Sequence, residues 1–283
     1  MPTADRSRLR KITSSSNAQV QALRRAFSKG ELTDDGFTAI ESVRVIEEAI
    51  RSGLRFKAVF FAESAEPRIE KLLPQISSHA EALLLPDAVF QSAVATETPQ
   101  GVAALVKLKD WSFDDLFASE PALVVVAAGL QDPGNLGTIL RSAEAFAASG
   151  VLTAEKTVSH LNSKVIRAAA GSLFRLPVLR VDAASAVQQL RARGLRLVGT
   201  SSHKGTAASD ADLRQPLALF IGNEGAGLPR EVARELDETL MIPHSPRVES
   251  LNAGVATSVL LYEVSRQRQN THHGDTEPRR EAL

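Results

Sequence analysis

Residues 122–146, ALVVVAAGLQDPGNLGTILRSAEAF, join an apolar run to an amphipathic stretch through a short polar turn. The run ALVVVAA is short, apolar and rich in valine, which is typical of a buried strand. The helix predicted over 135–148 has a buried stripe made of Leu136, Ile139, Leu140 and Ala143. Asn135 then stands at the helix entrance, and Arg141 lies on the face opposite the stripe. A strand followed by a covering helix is the unit from which parallel α/β sheets are built.

The rest of the chain from residue 121 repeats this alternation. Strands are predicted at GVLT, LRLVGT, PLALFIG and TLMIP, and helices over 162–171, 183–193, 229–237 and 250–268. The fold class is therefore α/β, with a mainly parallel sheet covered on both faces over residues 121–268. Ligands of such sheets bind beyond the carboxyl ends of the strands.

Residues 1–107 predict a separate, smaller α/β domain. The stretch FTAIESVRVIEEAIRSG, 37–53, has apolar residues at helical spacing and is predicted to be one helix ending near Gly53. Strands are predicted at FKAVFFA, ALLL and TPQGVAALVKL, with helices around RIEKLLPQI and from Asp87. The stretch KDWSFDDLFASEP, 108–120, breaks the pattern and is interpreted as a linker, and 269–283 is interpreted as a disordered tail.

Composition limits the classes of function. The chain of 283 residues has 33 basic and 33 acidic side chains, so an extended basic surface is not expected. The absence of cysteine excludes disulfides, thiolate metal sites and cysteine nucleophiles, and no apolar run is long enough to span a membrane. Together with the lack of a signal-peptide pattern, this predicts a cytoplasmic protein. No histidine spacing indicates a metal site.

One local cluster of positive charge stands out. Residues 1–30 contain a single acid, Asp5, and seven basic residues, namely Arg6, Arg8, Arg10, Lys11, Arg24, Arg25 and Lys29. A solvated terminal arm and a nucleic-acid-binding patch both fit this excess of six charges.

Two later stretches accompany the opening one. LFIGNEGAGLP, 219–229, takes a predicted strand into a loop spaced G-x-x-G-x-G, which does not match the G-x-G-x-x-G of nicotinamide-binding folds. MIPHSPRVESLNAGVATSVLLYE, 241–263, takes another strand through a polar loop into an apolar helix that Ser250 or Asn252 can cap. Each stretch has a purely structural interpretation when taken alone. For the opening stretch this is a capped helix with an Arg141–Glu144 pair, and for the glycine-rich stretch it is a tight turn.

The three stretches, in this order, resemble the signature motifs of the SpoU (TrmH-like) branch of the SPOUT methyltransferases. AAAGSLFRLPV, 168–178, is similar to another segment of that family. KITSSSNAQVQAL and TPQGVAAL resemble its N-terminal RNA-binding domain, found in many members that act on rRNA. The resemblance implies transfer of a methyl group from S-adenosylmethionine to a ribose 2′-hydroxyl of RNA, with rRNA favoured. It also implies a homodimer and a trefoil knot, without metal or membrane.

The resemblance also implies roles for individual residues. The catalytic residues would be Asn135, Arg141, Glu224, Ser250 and Asn252. The cofactor would be bound by Thr200, Gly222, Asn223, Ile242, Pro243 and Leu251. For Arg141 two roles stay open, a general base or a clamp on the target phosphate; the clamp is preferred because a guanidinium group stays protonated in proteins.

Some positions depart from the family pattern. His244 and Pro246 stand where the family loop usually has Met and Gly, and Ala253-Gly254 replaces a commoner Val-Ser. The alternatives that stay open are a tRNA 2′-O-methyltransferase, an rRNA methylase that confers antibiotic resistance, and a non-catalytic RNA-binding protein of the same fold. A nucleotide-dependent oxidoreductase is disfavoured by the glycine spacing.

Overall fold

The computed structural model describes residues 5–271, which form two compact units. The first unit contains the described residues up to Asp110 together with Val158–Arg175, and the second contains Trp111–Thr157 and the described residues from Leu176 onward. The elements up to Asp110 are β1 (Leu9–Lys11), α1 (Ala18–Lys29), β2 (Thr38–Glu41), α2 (Val43–Arg51), β3 (Arg55–Ala62), α3 (Glu66–Leu72), β4 (Glu81–Leu85), α4 (Asp87–Ala93) and β5 (Val102–Lys107).

The sheet of the first unit has five strands in the order β1-β4-β3-β5-β2. Strands β1, β4 and β3 run parallel, whereas β5 runs antiparallel to β3 and β2. The interior is apolar, and Phe60, Leu83 and Phe90 are almost fully buried in it. This arrangement confirms the α/β class of the N-terminal region.

The single helix predicted over 37–53 is wrong in its first third. Residues 38–41 form β2, and Ile40 lies opposite Ala104 of β5. Ser42 then caps α2 by accepting a hydrogen bond from the amide of Val45 at 3.4 Å. The apolar spacing suited a helix, but pairing with a strand about 60 residues later decided the structure.

The N-terminal segment is not a solvated arm. Residues 9–11 add β1 to the edge of the sheet beside β4, and residues 18–29 form α1. Helix α1 buries Val20, Leu23 and Ala26 against the sheet. The basic side chains of this segment are therefore attached to a packed strand and a packed helix.

The second unit contains the parallel sheet that the alternation of strands and helices predicts. The elements from residue 111 onward are β6 (Leu123–Ala127), α5 (Pro133–Ala145), β7 (Gly150–Thr153), α6 (Ser163–Ala169), β8 (Val178–Arg180), α7 (Ala183–Ala192), β9 (Arg196–Thr200), β10 (Thr206–Ala207), β11 (Leu217–Ile221), α8 (Arg230–Arg234), β12 (Glu238–Met241) and α9 (Ala253–Thr271). The strand order is β10-β12-β9-β11-β6-β7-β8, and every pairing is parallel. Strands β6 and β11 are buried at every position and form the centre of the sheet.

Two segments belong to different units from those that the sequence pattern suggests. Within the stretch 108–120, residues Phe113–Phe117 form a 3₁₀ helix whose Leu116 packs fully buried in the core of the second unit.

Residues 158–175, including α6, pack with the first unit. There Arg167 donates to the hydroxyl of Thr96 at 3.1 Å, and that hydroxyl donates to Glu41 at 2.8 Å. Burial is the main cause that raises the pKa of the Glu41 carboxyl.

The last helix continues beyond its expected end. Helix α9 reaches Thr271, so the first residues of the tail expected over 269–283 are helical. The prediction of disorder for residues 272–283 lies outside the described residues. No helix of the described chain is long and apolar enough to cross a membrane.

Leu116→Ala should reveal that the stretch 108–120 is part of a core. Removal of a fully buried leucine side chain costs about 2–5 kcal/mol through reduced burial and the cavity left behind, so the thermal unfolding midpoint should fall clearly. Leu32→Ala is the matched control, because Leu32 is 48% exposed and its truncation should be nearly neutral. Equal midpoints for the two variants, measured by calorimetry, would show that residues 113–117 are only a linker.

Candidate active site

The candidate site lies where four neighbouring strands of the parallel sheet end. The strands β12, β9, β11 and β6 lie side by side in that order. The segments that follow them are residues 242–252, 201–205, 222–229 and 128–132. All four segments leave the same edge of the sheet, because the strands are parallel. The three motifs of the sequence are thereby brought to one place.

Asn135 is the centre of a hydrogen-bonded chain of side chains. It is 7% exposed and lies in the first turn of α5. Its amide nitrogen donates to Oε1 of Glu224 at 2.6 Å, and its amide oxygen accepts from Nδ2 of Asn252 at 2.8 Å. The side chain thus connects the glycine-rich loop after β11 with the start of α9. Three of the five predicted catalytic residues are therefore linked to one another by hydrogen bonds between their side chains.

The assignment of donors and acceptors in this series of hydrogen bonds follows from the chemistry of its terminal residues. A carboxylate only accepts hydrogen bonds, so Asn135 has to present its NH₂ group to Glu224 and its oxygen to Asn252. Asn252 then directs its own oxygen to the amide of Val255, 3.1 Å away, and caps α9. Asp132 is the cap of α5, since its carboxylate accepts from the backbone amide of Asn135 at 2.7 Å. The purely structural interpretation, in which Asn135 caps this helix, therefore does not hold, and the Asn135 side chain makes the longer connection instead.

The glycine-rich loop is held by the side chain of Asn223. The Oδ1 atom of Asn223 accepts from the amides of Gly225 and Ala226, both at 3.0 Å, and Nδ2 donates to the carbonyl of Gly129 at 3.0 Å. The backbone of Asn223 also exchanges two hydrogen bonds with Gly227. These bonds occupy the polar atoms of the Asn223 side chain within the protein, so this residue supports the loop that lines the site.

Gly222 is required by the internal geometry of the same loop. A Cβ atom at this position would lie 2.3 Å from the carbonyl carbon of Gly227 and 2.4 Å from the amide nitrogen of Leu228. Both neighbours are backbone atoms, which cannot move without changing the loop. At Gly225 the nearest atom to such a Cβ is Oδ1 of Asn223 at 3.7 Å, an ordinary contact. The two glycines of the loop therefore differ sharply in how they tolerate a side chain.

A cavity of about 240 Å³ opens beside this loop. Five of the six residues predicted to bind the cofactor line it, namely Thr200, Gly222, Asn223, Ile242 and Leu251. Pro243 is not among the lining residues. Of the predicted catalytic residues, Glu224 and Ser250 line the cavity, and Asn135 and Asn252 are joined to it through Glu224. The sequence motifs did not single out the remaining lining residues, which include Ser201, Ser202, Leu240, Thr257 and Leu260.

His244 is a lining residue that the sequence marked only as a departure from the family pattern. Its ring nitrogen Nδ1 lies 2.7 Å from the carbonyl oxygen of Ile242. A carbonyl accepts, so Nδ1 carries the hydrogen and donates. The ring also lies beside that of His203, with 5.8 Å between the ring centroids. This hydrogen bond attaches the histidine side chain to the backbone of its own loop at the edge of the cavity.

Close packing of α9 against α5 fixes the distance between Asn252 and Asn135. The hydroxyl groups of Ser142 and Ser258 are hydrogen-bonded at 2.7 Å. A Cβ at Gly254 would lie only 3.1 Å from Cβ of Thr138, so a larger residue would push the two helices apart. Gly254, another departure from the family pattern, thus allows the close approach on which the Asn252–Asn135 hydrogen bond depends.

Arg141 stands apart from this arrangement. It lies on the exposed face of α5 and has no hydrogen bond or ion pair with any described residue. The Arg141–Glu144 pair of the purely structural interpretation is therefore not formed. The hydroxyl of Ser250 is also without a hydrogen-bond partner in the described chain. Neither side chain is hydrogen-bonded to Asn135, Glu224 or Asn252. Both are free to contact another molecule.

Comparison with known proteins assigns both parts of the chain. Residues 122–262 match the SpoU rRNA Methylase family, and residues 17–104 match the MRM3-like substrate binding domain. A relative in Bacillus subtilis (strain 168), the 23S rRNA (guanosine(2553)-2′-O)-methyltransferase RlmP, is 31% identical over 256 residues. That alignment covers 90% of this chain and 99% of the relative.

Two solved structures are similar over almost the whole chain. The AdoMet-bound rRNA methyltransferase from Sinorhizobium meliloti superposes with a TM-score of 0.79 at 28% identity, covering 92% of this chain and 98% of that one. The SpoU methyltransferase AviRb from Streptomyces viridochromogenes, in complex with AdoMet, gives a TM-score of 0.78 at 30% identity, covering 89% and 98%. The parallel sheet and its loops thus define an α/β methyltransferase.

The chain belongs to the SpoU rRNA methylase family. It is an enzyme that uses S-adenosylmethionine to methylate a 2′-hydroxyl of RNA. The resemblance inferred from the three sequence motifs is therefore confirmed, as are the reaction class and the cofactor.

The lining of the cavity fits this cofactor. Leu240, Leu251 and Leu260 offer apolar contacts for a flat nucleoside ring, and the glycine loop offers backbone to its polar edges. Glu224 is the only acidic side chain among the described lining residues, and its carboxylate favours a positively charged ligand. No cluster of three or more potential metal ligands occurs in the part of the chain that the structure describes.

Gly222→Ala and Gly225→Ala form a matched pair of variants within this loop. The added methyl group meets backbone only in Gly222→Ala, and overpacking of this kind costs roughly 1–3 kcal/mol, where 1.4 kcal/mol is tenfold in affinity. The affinity for S-adenosylmethionine, measured by titration calorimetry, should therefore fall by about tenfold in Gly222→Ala and stay near the wild-type value in Gly225→Ala. The same affinity in both variants would mean that this loop does not shape the cofactor cavity.

Proposed function

We propose that this enzyme methylates the ribose 2′-hydroxyl of a nucleotide in ribosomal RNA, with Asn135, Arg141, Glu224, Ser250 and Asn252 as its catalytic residues. The observation that carries the assignment of the site is the hydrogen-bonded chain Asn252–Asn135–Glu224, because its last member lines the cavity that fits the cofactor. These hydrogen bonds link three of the five proposed catalytic side chains, and five of the six proposed cofactor residues line the adjoining cavity, which supports the assignment.

The cofactor residues would act mainly through their backbone. S-adenosylmethionine, when bound, supplies a methyl group on a positively charged sulfur. Gly222, Ile242 and Leu251 would hold the nucleoside part, and Asn223 would keep the loop in shape through its bonds to Gly129, Gly225 and Ala226. Thr200 would act in a similar way, since its hydroxyl donates to the carbonyl of Phe220 at 3.3 Å. Pro243, which is outside the cavity lining, would only orient the loop.

Arg141 would act on the RNA. Its guanidinium group is exposed and has no partner in the described chain, so it is available to a phosphate of the target nucleotide. Held there, it would orient the ribose and stabilise the negative charge that develops on the 2′-oxygen. Asn135 and Glu224 would position the groups around it, and the free hydroxyl of Ser250 would contact the ribose. A role of Arg141 as general base is less favourable because guanidinium stays protonated.

Ribosomal RNA is the favoured substrate for two reasons. The relative from Bacillus subtilis and the structure from Sinorhizobium meliloti are both described as rRNA methyltransferases. The first unit, moreover, matches a substrate-binding domain over residues 17–104. Such an enzyme would act in the cytoplasm, where rRNA is made and modified in bacteria.

Arg141→Ala should separate chemistry from cofactor binding. The rate of methyl transfer to rRNA should fall by about 100-fold or more, which is the effect of removing one donor to a developing oxyanion. The affinity for S-adenosylmethionine should change only a few-fold, because Arg141 does not line the cavity. Arg141→Lys, which keeps the charge but not the two-pronged geometry, should recover only part of the rate.

The substrate itself is tested by mapping 2′-O-methylated positions in rRNA from cells with and without the enzyme, and in rRNA treated with the purified protein. One position should depend on the wild-type enzyme and be missing with Arg141→Ala. Methylation of tRNA alone, or binding of RNA and S-adenosylmethionine without turnover, would contradict the proposal.

The enzyme would work as a homodimer. Helix α9 exposes a stripe of large apolar side chains, with Val255 50%, Val259 41% and Tyr262 53% exposed. These residues follow one another at helical spacing, and the ring of Tyr262 contacts that of Phe146, the residue after α5, with 5.9 Å between ring centroids. A continuous apolar stripe of this kind is typical of a protein interface.

The trefoil knot that the family resemblance implies stays a prediction.

Val259→Glu should convert the dimer into a monomer, because it places a charge in the middle of this stripe. The molar mass in solution, measured by light scattering after size exclusion, should halve. Val248→Glu adds the same charge at a valine that is 44% exposed in the loop before α9, and this control should stay dimeric. A wild-type protein that elutes as a monomer would overturn the dimer.

A further inference from the structure

The seven basic residues of the N-terminal segment are not equivalent in the structure. Three of them form ion pairs, since Arg6 contacts Glu66 and Glu70, Arg10 contacts Glu81, and Lys11 contacts Glu63. Two more are satisfied by hydrogen bonds, Arg8 with carbonyl groups of residues 73, 76 and 77, and Arg24 with Ser92. Most of the local excess of positive charge is therefore compensated inside the first unit.

The side chains of Arg25 and Lys29 are the two that have no partner in the described chain. They are separated by one turn of α1 and both are exposed, on the side away from the buried residues Val20, Leu23 and Ala26. Side chains four residues apart on a helix are neighbours, so the two cations lie next to each other. The carboxyl end of α1 also favours nearby positive charge.

A third free cation lies on a helix whose start packs against the end of α1. Helix α1 ends at Gly30, whose carbonyl accepts a hydrogen bond from the hydroxyl of Ser159 at 2.7 Å. A Cβ at Gly30 would lie 3.5 Å from Cα of Asn162, the residue that caps α6. Lys164 follows two residues later, and its exposed side chain has no partner in the described chain. The start of α6, which carries Lys164, therefore lies close to the end of α1, which carries Lys29.

Acidic residues of the loop 31–35 limit the positively charged surface formed by Arg25 and Lys29. Arg25 and Lys29 border a cavity of about 400 Å³ whose remaining lining includes Glu31, Asp34 and Asp35. Asp35 is bound to Lys57, and the hydrogen bond from Lys57 is the main cause that lowers the pKa of this carboxyl. An anion placed across the loop 31–35 would meet these negative charges. The favourable direction for a polyanion therefore runs from Arg25 through Lys29 towards Lys164.

We propose that Arg25, Lys29 and Lys164, here called the basic ridge, bind consecutive phosphate groups of the RNA substrate. The inference rests on the proposed function and adds to it the surface of the first unit that carries the RNA. Phosphate contacts provide much of the affinity for nucleic acids, and they require cations that are not already neutralised. Of the seven basic residues in the N-terminal segment, only Arg25 and Lys29 meet this condition, and Lys164 extends the ridge onto a helix that follows the Asn135 motif in sequence.

The test compares two double variants that change the net charge equally. Arg25→Ala/Lys29→Ala removes two free cations, whereas Arg10→Ala/Lys11→Ala removes two cations that are paired with Glu81 and Glu63. Binding of fragmented 23S rRNA is measured across a salt series by filter retention. The ridge variant should bind about tenfold more weakly, and the slope of log K against log salt should become shallower by about 0.7–0.9 for each phosphate that the variant no longer neutralises. Adding Lys164→Ala should weaken binding and flatten the slope further.

The control variant should keep the wild-type salt slope, and all variants should keep the wild-type affinity for S-adenosylmethionine and the wild-type unfolding midpoint. Equal affinities and slopes for the ridge variant and the control, with wild-type protein that still methylates rRNA, would overturn the ridge alone. Wild-type protein that binds S-adenosylmethionine but neither binds nor methylates rRNA would overturn the proposed function, and the ridge with it.

Discussion

The buried amide of Asn135 is the constraint on which the site depends. A primary amide removed from water has to find partners for both its oxygen and its nitrogen, because unpaired polar groups are costly in the interior. Glu224 and Asn252 supply these partners from positions 89 and 117 residues later in the chain. The turn after β6, the loop after β11 and the cap of α9 are consequently fixed relative to one another. A change in any of the three segments would leave a buried polar group unsatisfied.

The sequence predicted the second unit well because its signals are local. The strands at residues 123–127, 150–153 and 217–221 are short apolar runs between turn residues. Such runs are typical of buried strands. Residues 37–53 were harder, since their apolar spacing suits a helix and only pairing with β5 makes a strand of the first part. The packing of residues 158–175 with the first unit also depends on contacts between distant parts of the sequence, which no local pattern contains.

The site residues illustrate the same limit. Glu224, Gly222 and Leu251, which the motif resemblance singled out, line one cavity, but the resemblance could not distinguish them from Asn223, whose polar atoms hold the loop. Counting charges along residues 1–30 overstated the basic surface because the neutralising acids lie about 60–70 residues away, as Glu66 does from Arg6 and Glu81 from Arg10. Asp132, not Asn135, caps α5, because its carboxylate accepts the hydrogen bond from the backbone amide of Asn135.

A cavity shaped largely by loop backbone has a consequence for divergence within the family. Replacing an outward side chain leaves the main-chain groups of such a cavity in place, so we expect few positions to be strictly constrained. Those positions are the glycine whose Cβ would strike the opposing backbone and the asparagine that ties the loop together. Most other lining residues can drift as long as their size is kept. The two AdoMet-bound structures described above are only 28% and 30% identical to this chain, which agrees with such a tolerance.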